Sequence, residues 1–175
     1  MPKSSKKQID EDEKKIIAEL QKNSKESIDK IAKRCGFSRQ KVWRVIKRLE
    51  KNKTIWGYNV VVDDEKLNQK SYIMLIKRSS KPIGDFTDKL IEDFKEECTK
   101  KLGINVCYNC YLHGHFDWMV CFSAKDIKVA KKFSESINAS YSEFISEIYM
   151  MENIFPIKTC GILNPGIKKF KEFFQ

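Results

Sequence analysis

Residues 9–58 read IDEDEKKIIAELQKNSKESIDKIAKRCGFSRQKVWRVIKRLEKNKTIWGY, and the spacing of their apolar side chains decides the fold of the first third of the chain. Ile16, Ile17 and Leu20 form a stripe at helical spacing. The start of that helix is expected at Ile9, where Asp10 is placed to cap the free amides and Glu13 to reach back to them. A second helix is expected from Ser27 as its cap, with Ile28, Ile31 and Ala32 inward. It ends at Cys35-Gly36, since glycine enters the left-handed conformation of a helix exit without a steric penalty. Phe37 plugs the following turn and Ser38 caps a third helix. Val42, Val45, Ile46 and Leu49, at i, i+3, i+4 and i+7, give that helix a core face. Three short helices with a Gly-Phe-Ser turn, followed by a short wing, are the pattern of a winged helix-turn-helix.

The charge is as uneven as the periodicity is regular. Residues 1–60 hold 17 Lys+Arg against 8 Asp+Glu, and residues 61–175 hold 17 against 16, so nearly all of the net +10 lies in the first third. A basic module facing an anionic partner, joined to a near-neutral module with another task, accounts for this split. From Ser38 to Lys53 there are seven cations and one acid, Glu50. A helix so charged repels itself unless an anion neutralises it, and the major groove of double-stranded DNA does so while offering base edges to the residues near the helix N-terminus. Ser38, Arg39, Gln40, Arg44 and Trp43 are assigned to the groove. Lys41, Lys47, Arg48 and Lys51 are assigned to phosphates. Trp43, one step from the apolar stripe, is equally suited to packing on a neighbouring element.

No apolar run approaches the length of a membrane span, and Met1 to Lys7 lacks the apolar core of a signal peptide, so a cytoplasmic protein is expected. Its six cysteines (35, 98, 107, 110, 121, 160) are then expected as reduced thiols, mostly buried as small hydrophobes. No cofactor is expected.

The paired residues Ile9-Asp10, Ile16-Ile17, Leu20-Gln21, Ile31-Ala32, Gly36-Phe37-Ser38, Val42, Leu49-Glu50, Ile55 and Gly57-Tyr58 resemble, in order and register, the N-terminal pattern of the Lrp/AsnC (leucine-responsive, feast/famine) transcriptional regulators. Two positions depart from it: Val45 stands where the family usually has arginine, and Lys53 where it has glycine. The second departure asks Asn52 or Lys53 to make the helix exit without glycine, at a modest strain cost. The resemblance implies a regulator that binds DNA as a homodimer or higher homo-oligomer and responds to a small molecule such as an amino acid.

Beyond the wing, Tyr58 to Asp63 reads as a linking strand and Asp64 to Asn68 as a turn or short helical piece. Ser71–Arg78, Asn105–Leu112, Phe116–Ser123 and Tyr141–Phe155 read as strands, with helices over Asp85–Cys98 and Asp126–Ile137. This order, βαββαβ, is ferredoxin-like, and it resembles the family's ligand-sensing, dimer-forming domain. The expected α+β organisation is a winged helix-turn-helix over 1–60, a linker over 61–70, the ferredoxin-like domain over 71–155 and an extension over 156–175. In the extension, Pro165-Gly166 opens a short basic amphipathic helix from Ile167 to Phe174, expected to pack on the sheet or on a partner subunit. The resemblance also implies effector binding near the hairpin between the middle strands, where this chain has Gly114, His115 and Asp117. The alternative is that Asp117 only caps the hairpin.

Two rival functions are visible in the residues. Cys107, Cys110, His113 and His115 supply soft and imidazole ligands close together, as a metal-responsive regulator would need. If Asn105 to Leu112 is a strand, however, Cys107 and Cys110 point to opposite faces and Cys107 lies about 20 Å from His113, which opposes a metal site. The two-domain layout also resembles siroheme decarboxylases, with His113 and His115 as candidate proton handlers. No second histidine cluster, Ser/His/Asp set or glycine-rich phosphate loop accompanies them.

Overall fold

The computed structural model describes residues 6–82, 84, 86–95 and 102–175. Contacts divide the chain into two units: residues up to Val61 together with Ile157–Gln175, and Val62–Pro156. Among the described residues no helix is long and apolar enough to cross a membrane.

In the first unit, α1 (Lys6–Lys22), α2 (Ile28–Cys35) and α3 (Arg39–Lys51) pack through the stripes that their periodicity defines. Ile16, Ile31, Ala32, Val42, Val45 and Leu49 are buried together, with Ile17, Leu20, Ile28, Phe37, Ile46 and Ile55 against them. Removing a side chain such as Leu49 from this small core would cost about 2–5 kcal/mol. Ser27 and Ser38 cap their helices, each side chain accepting from the amide three residues on, at 3.3 Å. Gly36 takes the left-handed conformation (φ 70°), and the Phe37 amide donates to the Ala32 carbonyl at 2.9 Å.

The start of α1 differs from expectation. The helix runs through Asp10 and Glu13 and begins at Lys6, because Lys6, Lys7 and Gln8 are good helix formers with no breaker among them. Neither acid caps it.

The exit of α3 follows the unusual lysine. Lys53 sits at φ 62°, and the turn it makes lets the Ile55 amide donate to the Leu49 carbonyl at 3.0 Å. Residues 56–63 have no strand structure, so the expected linking strand from Tyr58 is not formed. A strand exists only through a partner, and within the described residues none pairs with this segment. Trp56, Tyr58, Val60 and Val62 remain exposed. In the extension the expected helix forms over Ile167–Phe174, as a 3₁₀-helix, after a hairpin of β5 (Lys158–Thr159) and β6 (Ile162–Leu163), and by its contacts the extension groups with the first unit.

The second unit is a four-stranded antiparallel sheet in the order β2-β3-β1-β4, from β1 (Lys70–Arg78), β2 (Asn105–Tyr111), β3 (Trp118–Ala124) and β4 (Ile145–Asn153). Helices α4 (Phe86–Lys95) and α5 (Ile127–Tyr141) complete the βαββαβ order. The expected first helix matches α4 where it is described; Asp85 and residues 96–98, Cys98 among them, lie outside the described residues. Asp126 caps α5, its carboxylate accepting from the Lys128 and Val129 amides at 2.9 Å. That helix continues to Tyr141, whose hydroxyl donates to Asp93 at 2.7 Å, so the last strand starts at Ile145 rather than at Tyr141.

Alternation sorts the sheet into two faces. Tyr72, Met74, Ile76, Val120 and Phe122 turn inward and pack with Ala130 and Phe133 of α5. The pairing places two cross-strand rows on the other face: Tyr108, Cys121, Ile73 and Met151, then Cys110, Met119, Leu75 and Tyr149. None of these eight is buried, and Tyr108, Tyr149 and Met151 are about half exposed.

Candidate nucleic-acid interface

The core stripe of α3 fixes which side chains face away from it. Gln40, Arg44, Lys47 and Lys51, at i, i+4, i+7 and i+11, lie along one ridge opposite Val42, Val45 and Leu49, and all four are exposed. Trp43, 51% exposed, stands beside this ridge. Arg39 is exposed at the helix start, 3.7 Å from Asp29. Ser38 has its hydroxyl committed to the cap.

Lys41 and Arg48 behave differently. They sit two turns apart on the flank that meets α1, where Lys41 Nζ pairs with Asp12 at 2.6 Å and Arg48 with Glu13 at 2.7 Å. Asp12 is buried, 3% exposed. Its carboxyl is held below the usual carboxylate range chiefly by the hydrogen bond from Lys41, against the opposing effect of burial. The Lys41 ammonium also lies 3.9 Å from the centre of the Phe37 ring, a cation–π contact to the residue that plugs the turn. The two cations expected on phosphates therefore fasten α3 to α1. The helical spacing showed that they flank the ridge, but not which flank α1 would take.

The ridge itself is lightly engaged. Lys47 pairs with Glu50 at 2.9 Å, an exposed pair within one helix, screened by solvent and readily given up to a phosphate. Glu50 also accepts from the Tyr58 hydroxyl at 3.0 Å, and these two contacts, Lys47 first, hold its carboxyl below the usual range. The Arg44 Nε–H points back to the Gln40 carbonyl at 3.4 Å. Among the described residues no acid pairs with Arg44 or Lys51. The outward ridge thus presents amide, guanidinium and ammonium groups to solvent, the donor set that recognises base edges and phosphates.

At the expected effector turn, Asp117 is built into the sheet. Its carboxylate accepts from the Arg78 amide at 2.8 Å, its own amide donates to the Ile76 carbonyl at 2.9 Å, and its carbonyl accepts from Leu112 at 2.7 Å. The β1–β3 ladder ends at Ile76 and Trp118, so the Arg78 amide, next on that side of β1, takes the Asp117 carboxylate in place of a ladder carbonyl. Gly114 and His115 are exposed, and the His115 ring stacks edge-on to Phe116, which meets Tyr149 in turn. A cavity of about 420 Å³, lined among others by Val62, Asp64, Gln69, Ile104 and Asn105, lies at the opposite end of the β2–β3 ladder.

The cysteines are not buried as expected: among the described residues Cys107 and Cys160 are exposed and Cys35, Cys110 and Cys121 half-buried. A register shift between Val106 and Tyr108 makes Cys107 a bulge, so simple alternation does not hold between Cys107 and Cys110. Among the described residues no three His, Cys, Asp or Glu side chains gather closely enough to hold a metal ion.

Comparison with known proteins agrees with this geometry. Residues 9–55 match a family described as "Winged helix-turn-helix DNA-binding". No curated protein matches the chain in sequence. Solved structures do match in fold. An AsnC family transcriptional regulator from Agrobacterium tumefaciens is 22% identical, with 87% of this chain and 95% of that one covered and a TM-score of 0.67. LrpC of B. subtilis is 18% identical over 91% of this chain and 99% of its own, with a TM-score of 0.60. A transcriptional regulator from Neisseria meningitidis in complex with L-Met is 16% identical over 90% and 94%, with a TM-score of 0.66. The chain carries a winged helix-turn-helix at its N-terminus and, over most of its length, has the fold of the Lrp/AsnC transcriptional regulators.

Proposed function

We propose that the protein is a transcriptional regulator that binds double-stranded DNA as a homodimer or higher assembly through α3. The carrying observation is the outward ridge of Gln40, Arg44, Lys47 and Lys51, backed by a helix seam that consumes Lys41 and Arg48 internally. Gln40, Arg44 and Arg39, toward the helix N-terminus, read base edges; Lys47 and Lys51 bind phosphates. Pairing of two copies is supported by the β1–β4 half of the open face, away from the β2 edge, where Ile73, Leu75, Tyr149 and Met151 lie with no charge among them. A near-neutral unit has little charge to repel its copy, and a two-fold dimer lets two reading helices reach grooves a whole number of turns apart.

An amino-acid effector is placed at the Gly114–Asp117 turn. There Asp117 shapes the loop, leaving the main chain at Gly114 and the His115 ring to meet the ligand. Such a ligand acts by binding one arrangement of subunits better than another. Selection of bound sequences from a random duplex library tests the DNA reading: enrichment of a two-fold symmetric site with half-sites about 10 bp or a multiple apart is the expected result, and no enrichment over input refutes it. Light scattering with a panel of amino acids tests the effector. A change of assembly that His115→Ala abolishes supports the placement, and no response to any amino acid removes it.

A further inference from the structure

The bulge on β2 sets a thiol against a thiol across the strand pair. Tyr108 pairs with Cys121, Val106 with Phe122, and Cys107 is the extra residue between them, so Cys107 and Tyr108 together oppose Cys121. The Cys107 thiol donates to the main-chain carbonyl of Cys121 at 3.2 Å. Cys107 stands beside the register pair Tyr108–Cys121 rather than in it, and its sulfur already reaches to 3.2 Å from the Cys121 main chain, a proximity that suits the about 4.4–6.8 Å Cα spacing that disulfides span. We infer that Cys107 and Cys121 are a redox-active dithiol site that takes small disulfides as its substrates and closes to an intramolecular cross-strand disulfide.

The environments of the two sulfurs divide the roles. Cys107 is exposed on β2, an edge strand of the sheet, and is open to attack a dissolved disulfide. Cys121 is less accessible, and burial, then the neighbouring Cys107 and Cys110, push its thiol up. It stays protonated until an adjacent mixed disulfide gives it a target. Cys110 lies one pair further along, opposite Met119. It is engaged with the Tyr108 phenol, whose pKa is raised first by Cys110. That engagement and the diagonal position leave Cys121 as the resolving partner of Cys107.

The reaction balances without a cofactor. The Cys107 thiolate attacks one sulfur of RSSR, a bond forms between Cys107 and that sulfur, the S–S bond breaks, and RS⁻ leaves and takes up a proton. Cys121 loses its proton to solvent and attacks the Cys107 sulfur, expelling the second RS⁻, which is protonated in turn. Two protein thiols are oxidised to one disulfide and RSSR is reduced to two RSH. The inference stands independently of the DNA-binding reading.

The test incubates the reduced full-length protein with oxidised glutathione near neutral pH, quenches with an alkylating reagent and maps peptides by mass. The expected result is a Cys107–Cys121 linked peptide, a loss of about 2 Da from the intact chain, and reversal by dithiothreitol. In Cys121→Ser the glutathione adduct should remain on Cys107. A wild-type chain that accumulates the adduct on Cys107 without closing overturns the inference. So does a link that runs to Cys110 or between two chains. The wild-type map needs no variant to fold.

Discussion

Lys53→Gly should stabilise the helix-turn-helix unit, an unusual outcome for a glycine placed beside a helix. Lys53 is held at φ 62°, where a side chain costs about 1–2 kcal/mol. Glycine removes that cost but gives back about 0.5–1 kcal/mol of backbone entropy in the unfolded chain. The net gain lies between about 0 and 1.5 kcal/mol, and its centre of about 0.75 kcal/mol raises the midpoint of a unit of this size by roughly 3–6 °C. In a Trp118→Phe background the two remaining tryptophans, Trp43 and Trp56, both lie in the first unit, so thermal unfolding followed by their fluorescence reports on it alone. Lys53→Ala separates the two explanations. It removes the same charge from the basic stretch but keeps the Cβ, and should leave the midpoint nearly unchanged. A lower midpoint for Lys53→Gly, or an equal rise for Lys53→Ala, would show that charge rather than backbone conformation governs the exit.

Further outcomes follow from the charge seam and the hairpin. Asp12→Ala should destabilise the first unit by about 1–3 kcal/mol, toward the lower end for a broken buried pair because Lys41 still reaches water; urea denaturation measures it. The Asp12 carboxyl titrates below its ordinary value, so its stabilising contribution is present above about pH 4 and is lost as pH falls through the lowered folded-state value. Asp12→Asn should accordingly narrow the difference between midpoints measured at neutral and acid pH, and an unchanged difference would remove Asp12 from the acid response. Asp117→Ala strands the Arg78 amide and should cost the sheet unit about 1–3 kcal/mol with or without any effector, as read from denaturation of the free protein; a neutral change would mean the carboxylate serves a ligand rather than the turn.

The three helices of the first unit were legible because their signals are local: an i, i+3, i+4, i+7 stripe, serine caps and one glycine exit are all written within a few residues. The βαββαβ order was legible for the same reason, to within the ends of its elements. What failed depends on partners distant in sequence. Asp10 and Glu13 look like a helix start wherever they occur, and only the fit of Asp12 and Glu13 to Lys41 and Arg48 shows that they form a seam. The bulge at Cys107 arises from pairing with β3, which no spacing within β2 reveals. The apolar alternation of Tyr58, Val60 and Val62 is a strand pattern without a strand, since pairing is a property of two segments. At the β2–β3 turn the sequence named Asp117, but not the end of the β1–β3 ladder that turns its carboxylate to the Arg78 amide.

Salt-dependent binding of the full-length protein to a random-sequence duplex tests the outward ridge of α3 most directly. The wild-type affinity should fall steeply and linearly on logarithmic axes as salt rises. Lys47→Ala should reduce the slope by about 1, Arg44→Ala/Lys47→Ala should reduce it further with a loss of affinity at moderate salt, and Lys41→Met should leave the slope unchanged because that ammonium faces Asp12. A double variant that binds duplex DNA with the wild-type affinity and slope would contradict the assignment of α3 as the DNA-reading helix.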